Sequence, residues 1–183
     1  MRFVVSKRPR EYLKQGGPTG CGLYAIKGIL SAYGKDDGKN LFAYYPMGIL
    51  PFITTPSRLI HILRSYGFDA KWGRVQESSD TEKLTALKEM LLLDAPVMLH
   101  IGNGYRKNGI WSKTRWRIVS HWITLWGFDD KTGVFYIYDP CVPRRYHDKN
   151  IPIGNTQRTY EQVLRDCGGS PRWWWRYGYI CLI

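Results

Sequence analysis

Apolar residues recur at helical spacing in two segments of the N-terminal half. The first segment starts at Cys21 and ends at Gly34. The second covers residues 56–66, with Thr55 before it as a cap and Gly67 after it as a stop. The pattern predicts a helix in each segment and places Cys21 at the N-terminus of the first.

Two capping boxes predict two further helices. Ser79 followed by Glu82 starts a helix that ends before Asp94, and Thr159 followed by Gln162 starts a shorter one. In a capping box the hydroxyl accepts a hydrogen bond from the backbone three residues on, and that residue's side chain bonds back. The spacing therefore predicts where each helix begins.

Short segments rich in β-branched and aromatic residues dominate the second half. They predict strands at 96–101, 121–128, 134–139 and 174–182. Because helices come first and strands later, the order favours an α+β domain with a largely antiparallel sheet. Residues 35–55, with prolines, glycines and aromatic residues, are interpreted as a long loop.

Length and composition narrow the class of protein. The chain has 183 residues, of which 44% are hydrophobic, and we expect one globular domain over residues 1–183. No apolar run approaches the roughly 20 residues that span a bilayer, and residues 1–10 carry charges where a signal peptide is apolar. We therefore expect no membrane span, and a protein that is cytoplasmic or secreted by a route without a visible signal peptide. The oligomeric state is left open.

Basic residues outnumber acidic ones, 27 to 15, which gives a formal net charge of +12. Part of this excess is mixed with tryptophan in residues 106–117 and 172–176. A basic and aromatic surface of this kind attracts anionic partners such as nucleic acid, cell-wall polymer or acidic protein. A solvated basic face above packed aromatic rings is the commoner structure, and it is the favoured interpretation of residues 106–117.

Cys21 is the first candidate for chemistry. Unpaired backbone N–H groups at a helix N-terminus favour the thiolate, which is the nucleophilic form of cysteine, and Gly20 and Gly22 leave room for a substrate backbone. We expect Cys21 to be the most reactive of the four cysteines. Cys141 is interpreted as a buried structural thiol, ahead of an oxidation partner for Cys21. No histidine or cysteine spacing is typical of a metal site, so no metal and no cofactor are expected.

A predicted hairpin supplies a base for the Cys21 thiol. If residues 121–127 pair with residues 133–139, His121 lies directly opposite Asp139, with the Cβ atoms about 5 Å apart. The carboxylate then accepts a hydrogen bond from one imidazole nitrogen, and the other nitrogen faces Cys21. Gln15 precedes Cys21 and could add a side-chain amide to an oxyanion hole. Nucleophile, base, orienting carboxylate and oxyanion donor are the parts of an acyl-transfer site.

Three sequence motifs resemble those of papain-like cysteine peptidases. They are QGGPTGCGLYA at residues 15–25, HWITLWGFD from His121, and YIYDP ending at Pro140. Within that superfamily the chain is most similar to the double-glycine leader peptidases, bacterial domains that process bacteriocin precursors, and to their stand-alone relatives. The resemblance implies a papain-like fold, in which a central helix carries the nucleophile at its N-terminus and packs on an antiparallel sheet.

The resemblance also implies an activity and a set of site residues. It implies a thiol-dependent hydrolase that cleaves a peptide or amide bond of a peptide or protein substrate through an acyl-enzyme thioester. The catalytic residues would be Cys21, His121, Asp139 and, in the oxyanion hole, Gln15. The residues beside the substrate would be Gly20, Gly22 and Trp122.

Other functions use the same residues or none of them. Transfer of the acyl group to an amine and deamidation of glutamine would proceed through the same triad. A binding module is the alternative of a different class, in which the basic and aromatic surface engages an anionic partner on a papain-like scaffold. The complete set of four catalytic residues favours an enzyme, because a scaffold has no physical need for all of them.

Overall fold

The computed structural model describes residues 1–16, 20–41, 54–75, 79–106 and 108–183. The helices of this part of the chain are α1 (Cys21–Ala32), α2 (Pro56–Ser65), α3 (Asp80–Leu92), α4 (Lys113–Trp116) and α5 (Tyr160–Gly168). The strands are β1 (Arg2–Val4), β2 (Ala70–Arg74), β3 (Val97–Gly102), β4 (Ser120–Asp129), β5 (Val134–Tyr138), β6 (Thr156–Thr159) and β7 (Gly178–Leu182).

The strands form one antiparallel sheet in the order β2-β7-β3-β4-β5-β6. β1 pairs with the far end of β4, beyond the stretch that β3 covers. α1 packs on β4 and against α2, while α3 and α5 pack on β4 and β3. The predicted α+β class with a largely antiparallel sheet is confirmed. No helix within the described ranges combines the length and the apolar character needed to cross a membrane.

The four helices predicted from periodicity and caps are confirmed. The Thr55 hydroxyl caps α2 by accepting from the Arg58 N–H at 3.3 Å. Both capping boxes form, at Ser79 for α3 and at Thr159 for α5. These helices were predictable because a cap is satisfied within one turn of the chain.

Other elements differ from the prediction. α4 and the strands β1, β2 and β6 were not predicted, because each is short and has no apolar alternation of its own. The last strand starts at Gly178 instead of Trp174, since residues 173–175 form a 3₁₀ turn and Tyr177 has a φ of 54°. Most of the predicted loop 35–55, namely residues 42–53, lies outside the described residues.

The hairpin of β4 and β5 contains a β-bulge. Leu125 pairs with Ile137 and Gly127 pairs with Tyr136, which leaves Trp126 as an extra residue on β4. The carbonyl of Trp126 accepts instead from the backbone N–H of Val5, next to β1, at 2.9 Å. The bulge is therefore stabilised by a segment distant in sequence.

This bulge decides which face of the sheet each residue occupies. The predicted register, with His121 directly opposite Asp139, is wrong. The register on the His121 side of the bulge, continued past β5, places Asp139 opposite Ile123, on the same face as His121. The register on the other side would place Asp139 opposite Thr124 and on the other face. The extra residue Trp126 thus allows His121 and Asp139 to meet.

Candidate functional site

His121 and Asp139 form a buried pair at the end of the sheet. His121 Nε2 donates to Asp139 Oδ1 at 2.8 Å, and the two residues are 2% and 1% exposed. Burial by itself lowers the pKa of His121, but the charges of Cys141 and Asp139 outweigh it and raise that pKa well above 6.5. Burial raises the pKa of Asp139, yet His121 and Arg158 hold it far below its usual value. The two groups therefore stabilise each other's charged form.

Three neighbours fix the position of Asp139. Arg158 Nη2 donates to Oδ2 at 2.6 Å, and the Cys141 backbone N–H donates to Oδ1 at 2.8 Å. Asn155, itself 1% exposed, bonds the backbone of Asp139 on both sides, accepting from its N–H at 2.8 Å and donating to its carbonyl at 2.9 Å. A carboxylate held at both oxygens and at its backbone keeps the imidazole in one orientation.

Arg158 connects this pair to the rest of the core. It is 5% exposed, its Nη1 lies 3.4 Å from Asp166 Oδ2, and its guanidinium stacks over the ring of Tyr105 at 4.2 Å. Burial raises the pKa of Asp166, and the charges of Arg158 and Arg165 oppose that rise. Two carboxylates thus flank one buried guanidinium, so its charge is compensated.

Arg158 and Asn155 were not predicted from the sequence. Both lie in a polar stretch around β6 that has no motif and no apolar alternation. Arg158 reaches Asp139 because β6 pairs with β5, with Arg158 opposite Phe135. No local signal in the sequence could have indicated that pairing.

Cys141 lies beside the second imidazole nitrogen. Its Sγ is 3.8 Å from His121 Nδ1, and the residue is partly exposed. The turn Asp139-Pro140-Cys141, closed by the Cys141 N–H on Asp139, directs the sulfur to this position. The interpretation of Cys141 as a buried structural thiol is therefore wrong.

Cys21 is the first residue of α1 and is 7% exposed. Within the part of the chain that the structure describes, it forms no hydrogen bond with His121. The sequence placed the free imidazole nitrogen against Cys21, whereas in the structure that nitrogen faces Cys141. Residues 17–19, directly before Cys21, lie outside the described residues.

Gln15 lies next to the loop that carries Asp139. Its backbone N–H donates to the carbonyl of Pro140 at 2.9 Å, and its partly buried side chain lines a cleft of about 730 Å³. Asp139 and Cys141 line the same cleft. Four basic side chains also line it, Lys14, Arg106, Arg115 and Arg158. The cleft is thus positively charged where it borders the His121–Asp139 pair.

Gly20, Gly22 and Trp122 are buried instead of lining an open surface. Trp122 is 2% exposed, and its indole donates to the carbonyl of Thr54 at 3.0 Å. A Cβ on Gly22 would lie 3.0 Å from a methyl group of Leu59. The position of Gly20, Gly22 and Trp122 beside a substrate stays a prediction.

His121, Asp139 and Cys141 also form a potential metal site, because their ligand atoms lie within 4.8 Å of one another. Nε2 of His121 is engaged by Asp139 and Nδ1 faces the sulfur. A metal ion bound by all three would have to replace the imidazole–carboxylate hydrogen bond. The arrangement therefore fits proton transfer between thiol, imidazole and carboxylate better than metal binding.

Comparison with protein families decides the family. The model of the Peptidase_C39-like family matches residues 8–167. The chain belongs to this family. The resemblance to the double-glycine leader peptidase group is confirmed, and membership in the C39-like family is consistent with cysteine peptidase activity. No curated protein matches the sequence.

Solved structures of similar fold include three peptidases. A double-glycine motif protease from an AMS/PCAT transporter, in complex with its leader peptide, has a TM-score of 0.53 and 15% identity, covering 100% of this chain and 97% of that one. The C39-like peptidase from Bacillus anthracis, described as putative, has a TM-score of 0.54 and 14% identity, covering 100% and 98%. The peptidase domain of Streptococcus mutans ComA with a small-molecule inhibitor has a TM-score of 0.52 and 15% identity, covering 94% and 98%. These likenesses confirm the papain-like fold of the C39-like chain.

Proposed function

We propose that this C39-like chain hydrolyses a peptide or amide bond through a triad of Cys21, His121 and Asp139, with an acyl-enzyme thioester as intermediate. The observation that carries the proposal is the buried His121–Asp139 hydrogen bond of 2.8 Å in a member of a peptidase family. A carboxylate on one imidazole nitrogen leaves the other nitrogen to exchange a proton with a thiol.

The proposed reaction runs in two stages. The Cys21 sulfur, with its proton already transferred to His121, attacks the carbonyl carbon, and the imidazolium then protonates the leaving amine. Water next attacks the thioester with His121 as base, which releases the acid and restores the thiol. For this the Cys21 sulfur has to reach Nδ1, the nitrogen that Cys141 faces in the structure.

The position of Cys21 supports its role as nucleophile. It begins a helix of 12 residues, and Gly20 before it has no side chain to compete for the first backbone N–H groups. These N–H groups can donate to the oxyanion that forms when the sulfur attacks a carbonyl. The Gln15 side chain, which borders the cleft beside Cys141, is the proposed second oxyanion donor.

The cleft supports a peptide substrate that carries negative charge. Its lining includes Lys14, Arg106 and Arg115, and the whole chain has a formal net charge of +12. One structural neighbour is a double-glycine motif protease bound to a leader peptide. We therefore propose acidic peptides with a Gly-Gly pair before the scissile bond as the first substrates to test.

The test is cleavage of fluorogenic Gly-Gly peptides by the purified chain. Wild type should turn over at least one peptide, and Cys21→Ala should lower kcat by about 10⁶-fold because no other group replaces the nucleophile. Cys181→Ala is the matched control, since this cysteine is partly exposed on β7 and outside the cleft. It should keep the wild-type rate.

Several results would contradict the proposal. Peptide binding without turnover by wild type would favour the binding module. Full activity in Cys21→Ala, combined with loss of activity in Cys141→Ala, would make Cys141 the nucleophile. Release of ammonia from glutamine peptides, or amide formation with an added amine, would instead indicate deamidation or acyl transfer.

A further inference from the structure

Cys141 is the reactive group that the proposed reaction leaves unused. Its sulfur lies 3.8 Å from Nδ1 of His121, which carries Asp139 on its other nitrogen at 2.8 Å. The Cys141 sulfur, the His121 imidazole and the Asp139 carboxylate are therefore arranged in the order of a thiol–imidazole–carboxylate triad. Unlike Cys21, Cys141 is partly exposed and lines the cleft of about 730 Å³.

An imidazole and several basic side chains lie close to this sulfur. A protonated imidazole next to a thiol stabilises the thiolate, which is the species that reacts with electrophiles and peroxides. The basic residues Lys14, Arg106 and Arg115 line the same cleft and add positive potential. Asp139, which accepts from the Cys141 backbone N–H, is also engaged by His121 and Arg158.

The other three thiols lack this combination. Cys167 is 3% exposed, and burial raises its pKa. Cys181 is partly exposed, burial raises its pKa, and its sulfur lies 3.9 Å from the Lys71 carbonyl, with no imidazole beside it. Cys21 is 7% exposed and has no hydrogen bond to His121 in the described part of the chain.

We propose that Cys141 is a second reactive site of this protein, a thiol open to the cleft that hydrogen peroxide oxidises and whose modification withdraws Nδ1 of His121 from use by Cys21. The last part rests on the proposed function, since it concerns the base of that reaction. The first part stands without it.

The oxidation step is balanced with peroxide as the oxidant. The Cys141 thiolate attacks one peroxide oxygen, an S–O bond forms, and the O–O bond breaks. Hydroxide leaves and takes a proton from the His121 imidazolium to give water. Sulfur is oxidised to a sulfenic acid, and the peroxide is reduced. The new S–OH group lies at Nδ1, where it can hydrogen-bond the nitrogen that Cys21 needs.

The geometry also implies competition between the two cysteines. Nε2 of His121 is held by Asp139, so a single nitrogen remains to accept a thiol proton. Cys141 faces that nitrogen in the structure. Removing the Cys141 sulfur should therefore leave the imidazole free for Cys21.

The first test is limited alkylation of the folded wild type with iodoacetamide at neutral pH, with each cysteine quantified by mass mapping. Cys141 should be alkylated about tenfold faster than Cys181, which serves as the partly exposed reference without an imidazole. In His121→Gln the rate at Cys141 should fall towards that of Cys181. Cys167, which is buried, reports in the same sample whether the variant is folded.

Two results would overturn the proposal. Alkylation of Cys141 no faster than that of Cys181 in wild type would do so, and this comparison needs no variant to fold. An unchanged rate at Cys141 in a folded His121→Gln variant would do so as well. Neither measurement requires turnover. The alkylation rates therefore test the reactivity of Cys141 even if no peptide is cleaved.

The second test follows oxidation by hydrogen peroxide, with dimedone to trap sulfenic acid. The adduct should appear at Cys141 before Cys21, and loss of peptide cleavage should follow its appearance. Inactivation that accompanies an adduct at Cys21 alone would contradict the proposed effect on the base. In Cys141→Ala, alkylation of Cys21 should become faster than in wild type; a slower or equal rate would contradict the competition.

Discussion

Cys21 and Cys141 differ in the groups that surround their sulfur atoms. Cys21 has the backbone N–H groups of a helix end, and Cys141 has the imidazole base. Cys21 begins a 12-residue helix, so backbone N–H groups are available near its sulfur, but it forms no hydrogen bond with an imidazole in the described part of the chain. Cys141 has the imidazole at 3.8 Å, but its own N–H is engaged by Asp139. A helix N-terminus such as the one at Cys21 stabilises negative charge, whereas the base, His121, lies on the sheet. The two features of a thiol nucleophile therefore come from different secondary-structure elements.

The two cysteines also differ in the space that is open to a reagent beside each sulfur. Cys141 borders the basic cleft, while Cys21 belongs to the hydrophobic core. A small electrophile therefore meets Cys141 first, and a peptide carbonyl has to reach Cys21 at the end of α1. Reactivity and catalysis need not be located at the same thiol in this protein.

Among the changes that act on both cysteines, the largest effect is expected at Asp139, which acts on each of them through His121. Asp139→Asn should lower kcat for a cleaved peptide by about 10⁴-fold, because the amide no longer holds the imidazole in the required tautomer or stabilises its charge. It should also slow the alkylation of Cys141. Asp69→Asn, a change at an exposed aspartate, is the control and should alter neither rate. A loss of turnover below tenfold would remove Asp139 from the mechanism.

Substitution of Arg158 tests how much the buried charge network around Asp139 contributes to stability, separately from the role of Asp139 in catalysis. Arg158→Gln should lower the free energy of unfolding by about 3–5 kcal/mol, since it leaves Asp139 and Asp166 buried without their shared cation. Urea denaturation measures this change. Arg145→Gln, at an exposed arginine, should shift it by less than about 0.5 kcal/mol. Equal effects in the two variants would contradict the buried charge network.

Substitution of Gln15 tests the proposed oxyanion hole that would serve Cys21. Gln15→Ala should lower kcat by about 10²–10³-fold, the loss expected for one preorganised donor. The backbone bond from Gln15 to Pro140 is kept in this variant, so the thermal midpoint should stay near that of wild type. Gln157→Ala, in the same cleft, is the control and should keep full turnover. A decrease smaller than threefold would exclude the oxyanion role.

The smallest expected effect is on the pH dependence of stability, which should change in Cys141→Ala but not in Cys21→Ala. The raised pKa of His121 contributes stability that is fully present below about pH 6.5 and is lost as the pH rises through the folded pKa. The charge of Cys141 is one cause of that rise, so in Cys141→Ala the loss should be complete at a lower pH than in wild type. In Cys21→Ala it should be complete at the wild-type pH. Thermal midpoints measured from pH 6 to pH 10 decide, and equal shifts in both variants would contradict the assignment.

The lowered pKa of Asp139 acts at the acidic end. Its stabilisation is present above the unfolded value of 3.8 and is lost as the pH falls through the lower folded pKa. Stability that depends on this pair should therefore be retained in mildly acidic solution. In Asp139→Asn this contribution is absent, so the acid limb of the stability profile should lose its dependence on this group.

The sequence determined the elements whose signals are local. The caps of α2, α3 and α5 are satisfied within one turn, and Cys21 was placed correctly at the start of α1. The types of residue at Cys21, His121 and Asp139 were sufficient to indicate the family, because these motifs need only order and spacing along the chain. The roles given to them remain predictions until the variants are measured.

Only the tertiary structure decided how the site is assembled. The contact of His121 with Asp139 depends on the bulge at Trp126, which is stabilised by a bond from Val5, more than a hundred residues away. Arg158 reaches Asp139 through the pairing of β6 with β5, and Cys141 reaches His121 through the turn after β5. Strand register and buried charge pairing are set by contacts between distant segments, and a shift of one residue moves a side chain to the other face. For that reason the chemistry of this chain could be recognised from its residues, whereas the thiol that faces the base could be identified only from the fold.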